Sequence, residues 1–137
     1  MNKNLVGVLI VLVALGLVVF GLNNPSSNSS SEATAPDGFS VPELSNLATQ
    51  GQVDFDKSCA SCHGTFGLGT ENGPPLMHKI YEPGHHGDGS FFNAAINGVR
   101  AHHWKFGDMP PVEGITETEI QSIVAYVREL QKANGIF

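Results

Sequence analysis

The hydrophobic and polar positions divide the chain into three unlike stretches. Leu5–Leu22 is an unbroken run of 18 residues without a charged or strongly polar side chain, long enough to cross a bilayer as a helix. A removable signal peptide has a shorter apolar region, about 7–15 residues, with a small-x-small site close behind. Here Asn23-Asn24-Pro25 follows the run, and Ala33-Thr34-Ala35 stands more than ten residues beyond it. Residues 1–22 are therefore expected to remain as an N-terminal transmembrane anchor. Lys3, ahead of the run, orients the N-terminus to the cytoplasm and the rest of the chain to the outside. Residues 23–40 are rich in Ser, Asn, Pro and Ala and poor in core formers. They read as a flexible linker spanning about 25 Å on average.

From residue 41 to 137 the apolar positions recur at helical spacing. Pro42 suits a first helical turn; Leu44, Leu47 and Ala48 follow, then Val53 and Phe55. A second helix is expected from Asp88 as N-cap, burying Phe92, Ala95, Ile96 and Val99, with Gly98 near its end. The last helix has the clearest signals. Thr116 and Glu119 form a Thr-x-x-Glu capping box. Ile120, Ile123, Val124, Val127 and Leu130 make one stripe, and Gly135 follows the last turn. Gly/Pro-rich loops separate the helices at 64–75, 83–89 and 107–114, and no alternating strand pattern occurs. The expectation is one small all-α domain. A unit of that size buries little core and usually needs a staple or a cofactor.

Composition narrows the function. The net charge is −6; from Glu43 onward eleven acidic and six basic residues leave about −5. With no basic stripe, nucleic-acid binding is excluded as an expectation. An acidic surface fits docking to basic or mixed surfaces instead. The two cysteines of the chain both lie in Cys59-Ala60-Ser61-Cys62-His63, a Cys-x-x-Cys-His sequence, the attachment signature of c-type haem. Each thiol can take one haem vinyl group as a thioether, and the adjoining imidazole then reaches the iron. A redox dithiol would open a helix after a strand, and no strand pattern precedes Cys59. A zinc site would need four ligands, and three residues this close together do not easily supply three of them.

The residues around this motif resemble the class I cytochrome c family, in order, over Phe55 to Phe137. Gly51 and Phe55 precede Cys59 at the spacing of that family's first helix where it crosses the last, and Tyr126 matches the aromatic partner there. Gly73-Pro74-Pro75-Leu76 resembles the segment whose proline carbonyl accepts the proton of the ligand histidine and whose leucine packs on the ring. Gly107-Asp108-Met109-Pro110-Pro111 resembles the loop delivering a distal methionine. Trp104 stands where small bacterial members direct an indole to a haem propionate. The resemblance implies a cytochrome c fold around one covalent haem c. It also implies cofactor-binding residues Cys59, Cys62, His63, Pro74, Leu76, Trp104 and Met109, with His63 and Met109 as iron ligands. A ligand imidazole needs its other nitrogen fixed by a hydrogen bond, which the Pro74 carbonyl suits. A Met/His axial pair raises the reduction potential and leaves no open position for oxygen or peroxide chemistry. The competing roles are a core methionine for Met109, with Met77 as the other candidate ligand, and simple apolar capping for Trp104.

The expected function is thus a membrane-tethered, single-haem electron carrier, not an enzyme, with redox-protein partners and no small-molecule substrate. The resemblance puts it on the periplasmic face of a bacterial inner membrane. The alternatives are a fixed electron-transfer subunit of a larger redox enzyme, or a haem- or metal-handling sensor. The sensor reading draws on His78, His85, His86, His102 and His103, which the resemblance does not require. They are solvated loop residues, propionate partners, a substitute sixth ligand, or a second copper or zinc site completed by Asp88 or Glu82. Because neighbours in an extended loop point to opposite sides, each adjacent pair is expected to supply one ligand.

Overall fold

The computed structural model describes residues 34–137. The anchor expected at 1–22, and the linker as far as residue 33, lie outside the described residues. No helix among the described residues is long and apolar enough to cross a membrane.

Four α-helices make up the domain: α1 (Asn46–Ser58), α2 (Ala60–His63), α3 (Asp88–Asn97) and α4 (Glu117–Ala133), with single 3-10 turns at Thr65–Gly67 and Lys79–Tyr81. Helix α1 begins later than Pro42 suggests, because Ser45 is its cap and accepts a hydrogen bond from the Ala48 N–H at 3.2 Å. Its buried face is Ala48, Gly51, Asp54 and Phe55. Leu47 and Val53, which follow the helical repeat, are 46% and 59% exposed. The true interface is carried by a glycine and an acid, which a count of apolar residues passes over.

Gly51 is where α1 meets α4. A Cβ there would lie 1.9 Å from the Ser122 carbonyl oxygen, so the two backbones touch and only a hydrogen fits between them. One turn further on, the Phe55 and Tyr126 rings pack with centroids 5.5 Å apart. The buried Asp54 carboxylate accepts hydrogen bonds from the Ser122 hydroxyl at 2.6 Å and the Gln50 amide at 3.0 Å, which meets the cost of burying it. Ala48, Phe66, Leu76, Ile123, Val127 and Leu130 complete the core around this crossing. Helix α4 starts as expected, with the Thr116–Glu119 capping box formed in both directions, and its whole stripe of Ile120, Ile123, Val124, Val127 and Leu130 is buried.

Helix α3 departs from expectation in two ways. Gly87 holds the N-cap position and Asp88 is the first helical residue, where its carboxylate pairs with Arg128 at 2.8 Å. Ile96 points outward at 47% exposure, and α3 buries no residue completely; Phe91, Ala94 and Ala95 line a cavity instead. Among the described residues the β structure is one isolated bridge, Val99 with Met109. The part of the linker stretch that is described, residues 34–40, packs on the domain. Phe39 stacks on Phe66 at 5.7 Å, and Ser40 exchanges hydrogen bonds with Asn134 at 2.9 and 2.8 Å. One aromatic in a Ser/Pro-rich segment is enough to bring the boundary forward from 41.

Candidate functional site

Helices and loops line an open, apolar cavity of about 470 Å³ that has Phe55 and Ile123 in its wall. All seven site residues expected from the sequence line it: Cys59, Cys62, His63, Pro74, Leu76, Trp104 and Met109. The attachment motif straddles the break between α1 and α2. Helix α1 ends at Ser58, Cys59 leaves helical geometry with φ −124°, and α2 restarts as a single turn to His63. Both thiols are free. Burial, with the neighbouring Cys62 adding to it, pushes the Cys59 thiol up to about 11. A dithiol exchange centre favours the reverse, a depressed thiol.

His63 is held from two directions. Its Nδ1–H donates to the Pro74 carbonyl at 2.9 Å, which fixes the tautomer and leaves Nε2 as the free donor atom. Burial lowers its pKa, the Pro74 bond opposing, so the ring is neutral and fit to bind a metal. The 64–76 loop is pressed onto the motif to make this possible. Thr70 Oγ1–H donates to the Cys62 carbonyl and Gly69 N–H to the His63 carbonyl, each at 2.6 Å. Leu76 is buried beside Pro74 and its N–H donates to the Gly67 carbonyl at 2.7 Å.

Met109 is delivered by the bridge to Val99. Val99 N–H donates to the Met109 carbonyl and Met109 N–H to the Val99 carbonyl, both at 2.9 Å. Gly98, at φ 75° and ψ 178°, turns the chain out of α3 into this bridge. Asp108 closes the loop by accepting from Ala101 N–H at 2.8 Å. Met77, the competing methionine, packs beside Gly67 at the core and does not line the cavity. The indole N–H of Trp104 donates to the Tyr81 hydroxyl at 3.1 Å. A bond to a propionate therefore requires the indole to exchange partners, a competitor that spacing alone does not reveal.

Two residues that sequence reasoning missed organise the far wall. Gln131 is 1% exposed and donates from Nε2 to the carbonyls of Leu76 and Tyr81 at 2.9 and 3.1 Å. Arg128 bonds the Asp88 carboxylate, the Tyr81 and His86 carbonyls and the Gln131 side chain, and lies over the Phe91 ring at 4.9 Å. Their signal was a polar pair interrupting the buried face of α4, one turn from its end.

The extra histidines are not scattered. His85, His86 and His103 bring one ring nitrogen each to within 4.8 Å of one another. The chain at 82–87 is a turn and not an extended loop: the His85 and His86 N–H groups both donate to the Glu82 carbonyl, at 3.0 and 2.9 Å. That turn puts both rings on one side, against the expectation that adjacent residues diverge. Asp88 is committed to Arg128, and neither it nor Glu82 joins the cluster. Partial desolvation, then the neighbouring imidazoles of His102, His86 and His85, lower the His103 pKa.

The donor set fits haem c. Two free thiols two residues apart, an imidazole with its second nitrogen fixed, and a thioether face one apolar cavity. No curated protein and no solved structure matches the chain significantly. The family model described as Cytochrome c matches residues 48–131, from the α1 crossing through the motif, the Met109 loop and nearly all of α4. The chain belongs to the cytochrome c family, and its cofactor is covalently bound haem c.

Proposed function

We propose that this haem electron carrier is a tethered, single-haem protein that shuttles one electron at a time between larger redox complexes on the periplasmic side of a bacterial inner membrane, without enzymatic activity of its own. In this reading Cys59 and Cys62 would hold the haem as thioethers, and His63 and Met109 would ligate its iron. When bound, the haem supplies the one-electron couple; the protein supplies its dielectric, its ligands and its exclusion of water.

One observation carries the reading. The two soft and borderline donors lining the cavity, His63 Nε2 and the Met109 thioether, are each held from behind by backbone, at 2.9 Å to Pro74 and by the paired 2.9 Å bonds to Val99. Residues held in this way would offer haem iron two preset donors, and a filled coordination sphere would suit electron transfer with little reorganisation. A Met/His pair also sets a high potential. The apolar run at Leu5–Leu22 supports the tether, and the acidic domain supports docking to basic partner surfaces.

The haem-loaded domain should be low-spin and six-coordinate in both oxidation states and refuse carbon monoxide. Its ferric form should show the weak near-infrared methionine-to-iron band, and Met109→Ala should abolish it. High-spin ferric haem, or a band that survives Met109→Ala, overturns the ligand assignment and with it the pure carrier role. For the tether, deleting residues 1–22 should move the protein from the membrane to the soluble periplasmic fraction if an export signal is supplied. Stoichiometric co-purification with one partner through a high-salt wash would favour the fixed-subunit alternative.

A further inference from the structure

We propose that His85, His86 and His103 form a second metal site, for one late first-row divalent cation of the zinc(II) or copper(II) class, at the mouth of the haem cavity. Three neutral imidazoles are the donor set such ions prefer over hard cations, and three protein ligands with a fourth position open to water is a recurrent zinc arrangement.

The distances fit. His85 Nε2 and His103 Nε2 stand 3.3 Å apart. Zinc–nitrogen bonds of about 2.0–2.1 Å in a tetrahedron require ligand atoms about 3.4 Å apart, so one edge of the tetrahedron is already at ligation length. The remaining ligand atoms lie within 4.8 Å, and His85 and His103 are exposed side chains that can close on the half-buried His86.

The support behind the rings is equally specific. His86 Nδ1–H donates to the Ile80 carbonyl at 2.6 Å, which leaves Nε2 unprotonated, the outer-shell bond that metal-ligating histidines make. The His86 carbonyl accepts from Arg128 at 2.5 Å, so the turn bearing two of the ligands is anchored to α4. His103 comes from a different loop, closed by Asp108 on Ala101 and by the Val99–Met109 bridge. His102, with its ring 4.3 Å from His103 and its Nδ1–H donating to the Arg100 carbonyl at 2.8 Å, is the nearest further imidazole to the open position.

His86, His103 and Trp104 also line the haem cavity, so the two sites share a wall. A divalent cation there favours the less positive ferrous state and raises the haem potential. By linkage, reduction must tighten metal binding by the same factor.

The test uses haem-loaded protein stripped of adventitious metal, titrated calorimetrically with zinc chloride alone and, separately, copper(II) chloride. The expected result is one ion per haem with Kd below about 1 µM. His86→Ala and His103→Ala should each weaken it at least about 100-fold, with His86→Gln repeating the loss. His78→Ala, which removes a histidine outside the cluster, should leave it within about threefold. An unchanged near-infrared band and haem spectrum in each variant shows that the domain remains folded. Saturating zinc should raise the haem potential in the parent protein and not in His103→Ala. Substoichiometric binding, or a loss shared equally by His78→Ala, would mean an adventitious ion only and overturn the proposal. None of these outcomes depends on the protein being a mobile carrier.

Discussion

Replacing Gly98 with alanine perturbs the contact that holds the Met109 loop. Gly98 has φ 75° and ψ 178°, a region essentially closed to other residues, and occupying it costs about 1–3 kcal/mol. A Cβ there would also lie 2.5 Å from the Met109 carbonyl oxygen and 3.1 Å from Pro111 Cδ. The clash falls on the acceptor of one of the two Val99–Met109 hydrogen bonds, and the least costly relief is to open that bridge. That crowding destabilises the closed loop by about a further 1 kcal/mol, while the hydrogen bonds lost on opening are lost in the parent as well and do not enter the difference. The total, about 2–4 kcal/mol, favours the open loop by about 30- to 1,000-fold. Gly107 provides the control: it too has positive φ, 90°, but a Cβ there meets nothing within 4 Å. Gly107→Ala should therefore cost only the conformational term, about 1 kcal/mol, or about fivefold.

The assay follows the near-infrared methionine band of the ferric protein as pH rises. Gly98→Ala should lower the pH of its loss by about 1.5 to 3 units, one unit per tenfold, and Gly107→Ala by less than one. The helical circular-dichroism melt, which reports the α1–α4 pair, should move far less than the band. Equal effects of the two substitutions, or a band as durable in Gly98→Ala as in the parent, would refute the steric argument. A parent protein without the band refutes methionine ligation instead, so the two failures are separable.

Three further expectations test the fold. Gly51→Ala must push α1 off the Ser122 carbonyl; overpacking outweighs the gain of about 1 kcal/mol in helix propensity, and a thermal midpoint lower by about 8–16 °C is expected, whereas an unchanged midpoint would show that the helices do not touch there. The Tyr126 hydroxyl is buried without a hydrogen-bond partner, and burial raises its pKa, with the Asp56 charge adding to it; Tyr126→Phe should be neutral or stabilise by about 1 kcal/mol, and a clear loss in denaturant melts would reveal a partner. The Thr116 backbone N–H, then its hydroxyl and Lys57, hold the Glu119 carboxyl down from 4.5 to about 2. A carboxyl depressed in this way contributes stability above its unfolded value and loses it as pH falls through the folded one. The thermal advantage over Glu119→Gln should therefore be constant above about pH 5 and shrink between about 4.5 and 2; an advantage that persists at pH 2 contradicts the assignment.

The parts of this domain most legible in the sequence are those where one residue type answers to one physical demand. The capping box of α4, its apolar stripe, and the attachment motif are of this kind. The ends of α1 and α3 were less legible, because Ser45 and Gly87 cap them while the more conspicuous Pro42 and Asp88 stand elsewhere. Leu47, Val53 and Ile96 misled because periodicity shows that a face exists, whereas their neighbours Gly51 and Phe91 decide where it lies. The histidine cluster could not be read at all as geometry. His85 and His103 are 18 residues apart, and their meeting depends on a turn at Glu82 and on a bridge at Val99, neither of which has a strong local signature.

Arg128 explains why those distant turns sit where they do. It is one of two basic groups in the described residues seen in ion pairs, the other being Lys57 at the surface, and its own side chain is only 15% exposed. A guanidinium presents five N–H donors in a fixed fork, and here the fork bonds Asp88, Tyr81, Gln131 and His86 together. The same α4 face therefore fixes the Tyr81 partner of Trp104, the start of α3 and the turn bearing His85 and His86. Lysine retains the charge but offers a single nitrogen, so it can satisfy Asp88 or the carbonyls and not all of them. The segment between Leu76 and Asp88 contains no helix longer than one turn, and its shape must be imposed from outside. Helix α4 thus does two jobs with two faces: its Tyr126 face closes the core against α1, and its Arg128–Gln131 face sets the geometry at the cavity mouth.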